Sequence, residues 1–353
     1  MNDGQTFRAL EANRSNNFDA LRVLFALLVI VSHSYPLLLG SNDREPLMRA
    51  SGSQMTLGEV AVDGFFLISG YLITASWQRS RNAMDYLRRR VLRIYPGFLV
   101  AVAFCSFVAG PLIVPNASLY WQNFQFKNWL FPAFNLEGAY SPGIETNGSL
   151  WSIRYEFLCY VAVAALGLAG LLKWPAILLG ITLGCTFLQA LQTYRHFQMP
   201  GSRLSWLWCY PDFWPRLAAC YLAGALFHLW GDRIVQSRRL AMLSAVGLML
   251  AAAVPSAKLL PLLFPYLAGY LTFWLAYAPL GSIKDIARRG DLTYGLYLYA
   301  FPIQLLLIKR FGEHLSPLGL AAVATLVTGL FAAVSWHLVE KPCLRWKRSS
   351  RPA

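Results

Sequence analysis

Charge is what this 353-residue chain has least of. Only 14% of its residues are Asp, Glu, Lys or Arg, against about 25% in a typical soluble domain. With 56% hydrophobic residues, that shortage excludes a soluble domain with a large core and points to an integral membrane protein. Acidic residues are scarcer than basic ones, 17 against 31, which leaves a net charge of +14. The cations sit between apolar runs, so they read as topology signals and not as a nucleic-acid surface. The six cysteines, at 105, 159, 185, 209, 220 and 343, form no Cys-x-x-Cys pair. Neither a disulfide framework nor a zinc site is indicated, and no metal is expected. A cleavable leader is also missing: the first seventeen residues are polar, and the first apolar run lacks a small-residue exit. No internal repeat, low-complexity segment or inverted repeat of the transporter kind stands out.

What is present is a series of ten apolar runs, at 18–39, 58–77, 91–114, 150–172, 175–193, 214–230, 241–257, 262–280, 293–310 and 318–339. They predict an all-α polytopic protein with about ten transmembrane helices. With the N-terminus in the cytoplasm and strict alternation, about two-thirds of the Lys and Arg fall inside. They include Arg79, Arg81, Arg88–Arg90 and Arg93 after the second run, Lys173 after the fourth, and Lys284, Arg288 and Arg289 after the eighth. Both termini are then cytoplasmic, with a short polar segment over 1–17 and a basic tail over 341–353. No linker divides the chain, so 1–353 reads as a single membrane-embedded domain.

Three outer loops follow from this topology. Residues 40–57 are polar. Residues 115–149 hold Trp121, Phe124, Phe126, Trp129 and Phe131, either an interfacial aromatic belt or a platform that stacks on sugar rings. Residues 194–213 hold His196, Arg203, Trp206, Trp208 and Tyr210.

Ionisable groups inside apolar runs carry the functional signal, because they are costly there and usually face a site or cavity. In the first run, His33 lies eleven residues beyond Arg22, about 16 Å along a helix and near mid-bilayer. The second run places Asp63 near its outer end and Ser69-Gly70 at about the depth of His33. The glycine lets another helix, or a thin ligand, approach closely. Arg90 and Arg93 share one helix face, and planar guanidiniums grip phosphate in a bidentate way. Positive-inside topology explains Arg88–Arg90 equally well, but less well Arg93, which lies inside an apolar segment. Arg154 and Glu156 enter the membrane together, and a buried carboxylate beside a histidine orients its tautomer. Asn147-Gly148-Ser149 also fits a glycosylation sequon. The ninth run carries Tyr294, Tyr297 and Tyr299, with Pro302 set to kink it.

In this order and spacing the motifs resemble the acyltransferase-3 family of integral membrane acyltransferases, over nearly the whole chain. The Arg-x10-His element is Arg22 and His33, and Phe-Phe-x-x-Ser-Gly is Phe65, Phe66, Ser69 and Gly70. Arg-x-x-Arg is Arg90 and Arg93, Ser-Leu-Trp-Ser-x-x-x-Glu runs from Ser149 to Glu156, and the closing Val-Glu-Lys-Pro is Val339 to Pro342. The chain departs from many members at Ala300, where they carry a second histidine.

The resemblance implies O-acylation, most often O-acetylation, of a carbohydrate such as an exopolysaccharide, O-antigen or lipid-linked sugar, with acetyl-CoA as donor, in a bacterial cytoplasmic membrane. It implies His33 as catalytic base, or as transient acyl carrier, oriented by Glu156 or Asp63. Arg22, Arg90 and Arg93, with Ser69 and Gly70, would take the donor, and Ser149, Trp151, Arg154 and Tyr297 the acceptor. The competing expectation from composition alone is a polysaccharide or lipid-linked sugar transporter or flippase without acyl chemistry.

Overall fold

A computed structural model describes residues 4–12, 16–201, 209–279 and 291–346. Arg14, Arg203, Trp206, Trp208, Lys284, Arg288, Arg289, Lys347, Arg348 and Arg351 lie outside the described residues.

The fold is all-helical, and each of the ten apolar runs is a helix. They are α1 Phe18–Leu39, α2 Leu57–Gln78, α3 Ala83–Phe104, α4 Trp151–Leu168, α5 Pro175–Arg195, α6 Trp214–Leu229, α7 Arg238–Ala253, α8 Leu260–Ala276, α9 Thr293–Phe311 and α10 Pro317–Ser335. Among the described residues, six helical stretches are long and apolar enough to cross a membrane: Phe18–Leu39, Leu57–Gln78, Ala83–Ile113, Trp151–Leu168, Pro175–Arg195 and Pro317–Arg345. The helices α6 and α7, at 16 residues each, are shorter.

Local chemistry sets several of the ends. Thr56 and Glu59 form a capping box at the start of α2. The third helix begins at Ala83, earlier than the apolar run itself, because Asn82 accepts the Asp85 N–H at 2.8 Å and draws the basic segment into the helix. The fourth stops at Leu168 because Gly170 turns the chain at φ 72°. After α10 the chain continues through a π-helical turn, Trp336–Glu340.

The chain divides into two compact units, and the divisions pass through α1, α3 and α4. The first unit comprises 1–25, 43–87 and 155–286. Its centre is the close crossing of α2 and α6. A Cβ on Gly70 would run into the Tyr221 carbonyl oxygen, and one on Gly224 into the Leu67 carbonyl oxygen. An aromatic core of Phe7, Phe18, Tyr71, Phe227, Phe273 and Tyr277 packs beside it. The second unit comprises 26–42, 88–154 and 287–353. There α9 packs on α10, and Gln304 donates to the Ile30 carbonyl at 2.8 Å and the Ser34 hydroxyl at 2.7 Å.

Candidate active site

In the second unit, the His33 imidazole meets Ser149, with 3.3 Å between Nδ1 and the serine Oγ. The Phe301 ring stands edge-on to the imidazole at 5.4 Å. What holds Ser149 is visible step by step. Pro302 has no N–H, so it cannot bond the carbonyl four residues back, that of Leu298. Asn147 fills the vacancy, its Nδ2 donating to that carbonyl at 2.8 Å. The Asn147 Oδ1 accepts from the Ser149 N–H at 3.2 Å, and the Tyr297 hydroxyl donates to the Ser149 carbonyl at 2.6 Å. Ser152 adds a 2.6 Å contact to the Tyr297 hydroxyl. Gly148 leaves room for the Phe301 ring, which a Cβ would meet at 2.9 Å. The sequon asparagine is thus a buried structural amide, 8% exposed.

Arg93 in the same unit forms an ion pair with Asp291 and stands 3.9 Å from Glu340. Glu340 is 2% exposed and accepts from the Ser335 hydroxyl at 3.1 Å. The Tyr294 ring faces the Arg93 guanidinium at 5.8 Å. Arg90 lies one helical turn earlier on α3. The Arg154 Nη1 donates to Glu137 at 2.6 Å, while its buried Nη2 has no hydrogen-bond partner among the described residues. Ala300, where the second histidine of many relatives would stand, is buried.

In the first unit, the Ser69 hydroxyl donates to Glu156, and the Tyr160 hydroxyl donates to the same carboxylate oxygen at 2.6 Å. Asp63 is fully buried, with the Arg216 Nε 3.2 Å from its carboxylate, and Arg216 also donates to Glu59 at 2.7 Å. Gly70 serves the α2–α6 crossing described above. Arg22 is half-buried in the early turns of α1; Trp151, which belongs to the second unit, is half-buried at the start of α4.

Within single units, then, the motifs meet in pairs. His33 meets Ser149, Ser69 meets Glu156, and Arg93 meets Glu340 of the closing Val-Glu-Lys-Pro. Sequence reasoning missed Asn147 as an anchor, along with Asp291, Arg216, Tyr160 and Glu137. The proline at 302 was the one available signal, since a freed carbonyl in a buried helix needs a donor. In the aromatic segment 115–149, Trp121, Phe124 and Trp129 pack against Phe107, while Trp121, Phe126 and Phe131 are exposed.

A family model described as an acyltransferase domain matches residues 15–339. The O-acetyl transferase of Shigella phage Sf6 is 27% identical, covering 93% of this chain and 96% of that protein. Nodulation protein 10 of Rhizobium leguminosarum bv. viciae is 26% identical over 95% of this chain and 94% of its own length. The peptidoglycan O-acetyltransferase OatA of Listeria monocytogenes is 25% identical over 81% of this chain and 51% of its own length. No solved structure matches. With the family model spanning nearly the whole sequence and the family's motifs meeting in pairs, the chain belongs to the acyltransferase-3 family and is an acyltransferase.

Proposed function

We propose that the protein moves an acetyl group from acetyl-CoA to a hydroxyl of a carbohydrate, working as one membrane-embedded domain in a bacterial cytoplasmic membrane. Ten spans and two cytoplasmic termini suit the distribution of Lys and Arg. The observation that carries the reading is the His33–Ser149 contact, which joins two of the family's motifs around a group able to move a proton. Relatives named as an O-acetyl transferase and a peptidoglycan O-acetyltransferase support a carbohydrate acceptor.

Ser149 acts on His33 as a positioning residue. With Nδ1–H donated to the serine oxygen, the lone pair of Nε2 is left to act as base. The acceptor hydroxyl gives its proton to Nε2 as its oxygen bonds to the thioester carbonyl carbon. The carbon–sulfur bond breaks, and the proton passes from the imidazolium to the departing thiolate. Phe301 and the buried Ser149 turn shield the imidazole. Arg154, with a buried Nη2 free of hydrogen-bond partners among the described residues, is suited to an acceptor oxygen, with Trp151 one turn earlier on α4, whereas the Tyr297 hydroxyl is committed to the Ser149 carbonyl and acts through that turn. Glu156 orients the Ser69 hydroxyl, and Asp63 holds Arg216.

Donor phosphates fit the arginine motif unevenly. Arg93 is already charge-compensated by Asp291 and Glu340, so a phosphate would have to exchange with a carboxylate there. Arg90, one helical turn earlier on α3, and Arg22, in the early turns of α1, complete the proposed donor set. Replacing His33 by Ala should lower transfer from labelled acetyl-CoA by about 10²–10⁴-fold in folded protein. Near-normal transfer by that variant would sink the mechanism. Mass spectrometry of surface glycans from cells with and without the gene would identify the acceptor.

A further inference from the structure

A cleft apart from the His33 site lies wholly within the first unit. It has a volume of about 550 Å³ and opens where α2 ends, next to the turn that follows α4. Its volume falls in the range of small-ligand sites, roughly 300–1,000 Å³. One wall is the Trp77 indole, wedged against Gly167, where a Cβ would strike the ring. The Tyr86 ring meets the indole edge-on at 5.2 Å, and the Tyr86 hydroxyl is tied to the Tyr160 carbonyl at 3.0 Å. The opposite wall is the short helix Leu171–Lys173, which the left-handed backbone at Gly170 turns across the end of α4.

Charge decides what fits. Arg81 and Lys173 both line the cleft, and no carboxylate does. Among the described residues neither cation makes an ion pair. That sets them apart from Arg79, which pairs with Glu11, and from Arg93, which pairs with Asp291. Two uncompensated cations at a concave, partly apolar surface concentrate anions. A guanidinium and an ammonium together suit phosphate oxygens. The hydroxyl of Ser80 and the amide of Asn82 add polar groups along the same rim.

We propose that the cleft between Trp77 and Lys173 binds a phosphate ester through Arg81 and Lys173. Two sources carry that chemistry. One is the nucleotide end of the acyl donor, whose phosphates would meet the cations and whose planar base would stack on Trp77; this source rests on the acetyl-CoA reading above. The other is the headgroup of an anionic phospholipid. In the cytoplasmic-termini orientation, both connections that form the cleft face the cytoplasm, where either is at hand.

The test uses the full chain in phosphatidylcholine nanodiscs. Coenzyme A binding is followed by titration calorimetry at two salt concentrations, and retained phosphatidylglycerol by native mass spectrometry after a mixed-lipid preparation. The variant is Arg81→Gln with Lys173→Gln, and the charge-keeping control is Arg81→Lys with Lys173→Arg. Both residues are exposed, so neither change disturbs a core. Loss of about tenfold or more in coenzyme A affinity, with a flatter salt dependence and recovery in the control, identifies the donor. Unchanged coenzyme A binding with loss of retained phosphatidylglycerol identifies the lipid. A double variant equal to the parent protein in both measurements overturns the proposal. A parent protein that transfers no acetyl group from acetyl-CoA overturns the donor reading instead, and the phosphatidylglycerol arm still decides this site.

Discussion

Gly70 gives the sharpest separation between a glycine that serves the donor and a glycine that serves the fold. Replacing it with Ala puts a methyl group against the Tyr221 carbonyl oxygen, and 3.1 Å from the Ala225 nitrogen. Ordinary heavy-atom contact needs about 3.5 Å. Both obstacles are backbone atoms of α6, so no side-chain rotation relieves the clash. Either α2 and α6 separate by an ångström or more, or α2 rotates. Separation would also open the matching contact of Gly224 with the Leu67 carbonyl. Overpacking of a core usually costs about 1–3 kcal/mol; with rigid backbone on the receiving side, we expect Gly70→Ala to cost about 3 kcal/mol or more. Thermal unfolding in detergent, followed by size-exclusion of surviving monodisperse protein, measures it. Gly180→Ala and Gly184→Ala on α5 are the controls, since a Cβ there meets nothing within 4 Å. A Gly70→Ala protein that unfolds at the parent temperature but shows a raised KM for acetyl-CoA would refute the packing argument and return Gly70 to the donor site.

Three further outcomes follow from single contacts. Ser149→Ala should lower kcat by about tenfold with KM nearly unchanged, because it removes one hydrogen bond to His33, and Ser149→Thr should restore most of it; a KM effect alone would make Ser149 an acceptor ligand. Arg216→Gln strands the buried Asp63 and should cost about 3–5 kcal/mol, whereas adding Asp63→Asn should recover much of that; additive losses in thermal unfolding would mean the pair does not interact. The Glu11 carboxyl is held down to about 2, from about 4.5, by the His228 imidazole first, and then by the Arg8 and Arg79 guanidiniums. A depressed folded value means the contribution is present above about pH 4.5 and is lost as pH falls toward 2. Protease resistance of the N-terminal segment should therefore decline across that window, and Glu11→Gln should flatten the decline; an unchanged profile would show that the segment is held by Asn17 and Phe7 instead.

The ten helices could be read from the sequence because each apolar run is a local pattern, and a run long enough to bury itself in lipid satisfies its own backbone as a helix. The pairing of the site groups could not. Ser149 lies 116 residues from His33, Glu156 lies 87 from Ser69, and Asp291 lies 198 from Arg93. Spacing along one run says which side chains share a face, and nothing about what that face meets. Arg93 shows the consequence. Judged alone, a cation inside an apolar segment looks like a ligand for phosphate; with Asp291 and Glu340 beside it, the cation is balanced within the protein. Lys173 shows the reverse. It looks like a plain topology signal, yet the turn at Gly170 sets it beside a cleft shared with Arg81 and leaves its charge uncompensated. Among basic residues of a membrane protein, the ones available to a ligand are those whose counter-charges the fold has withheld, and that property appears only once distant segments are brought together.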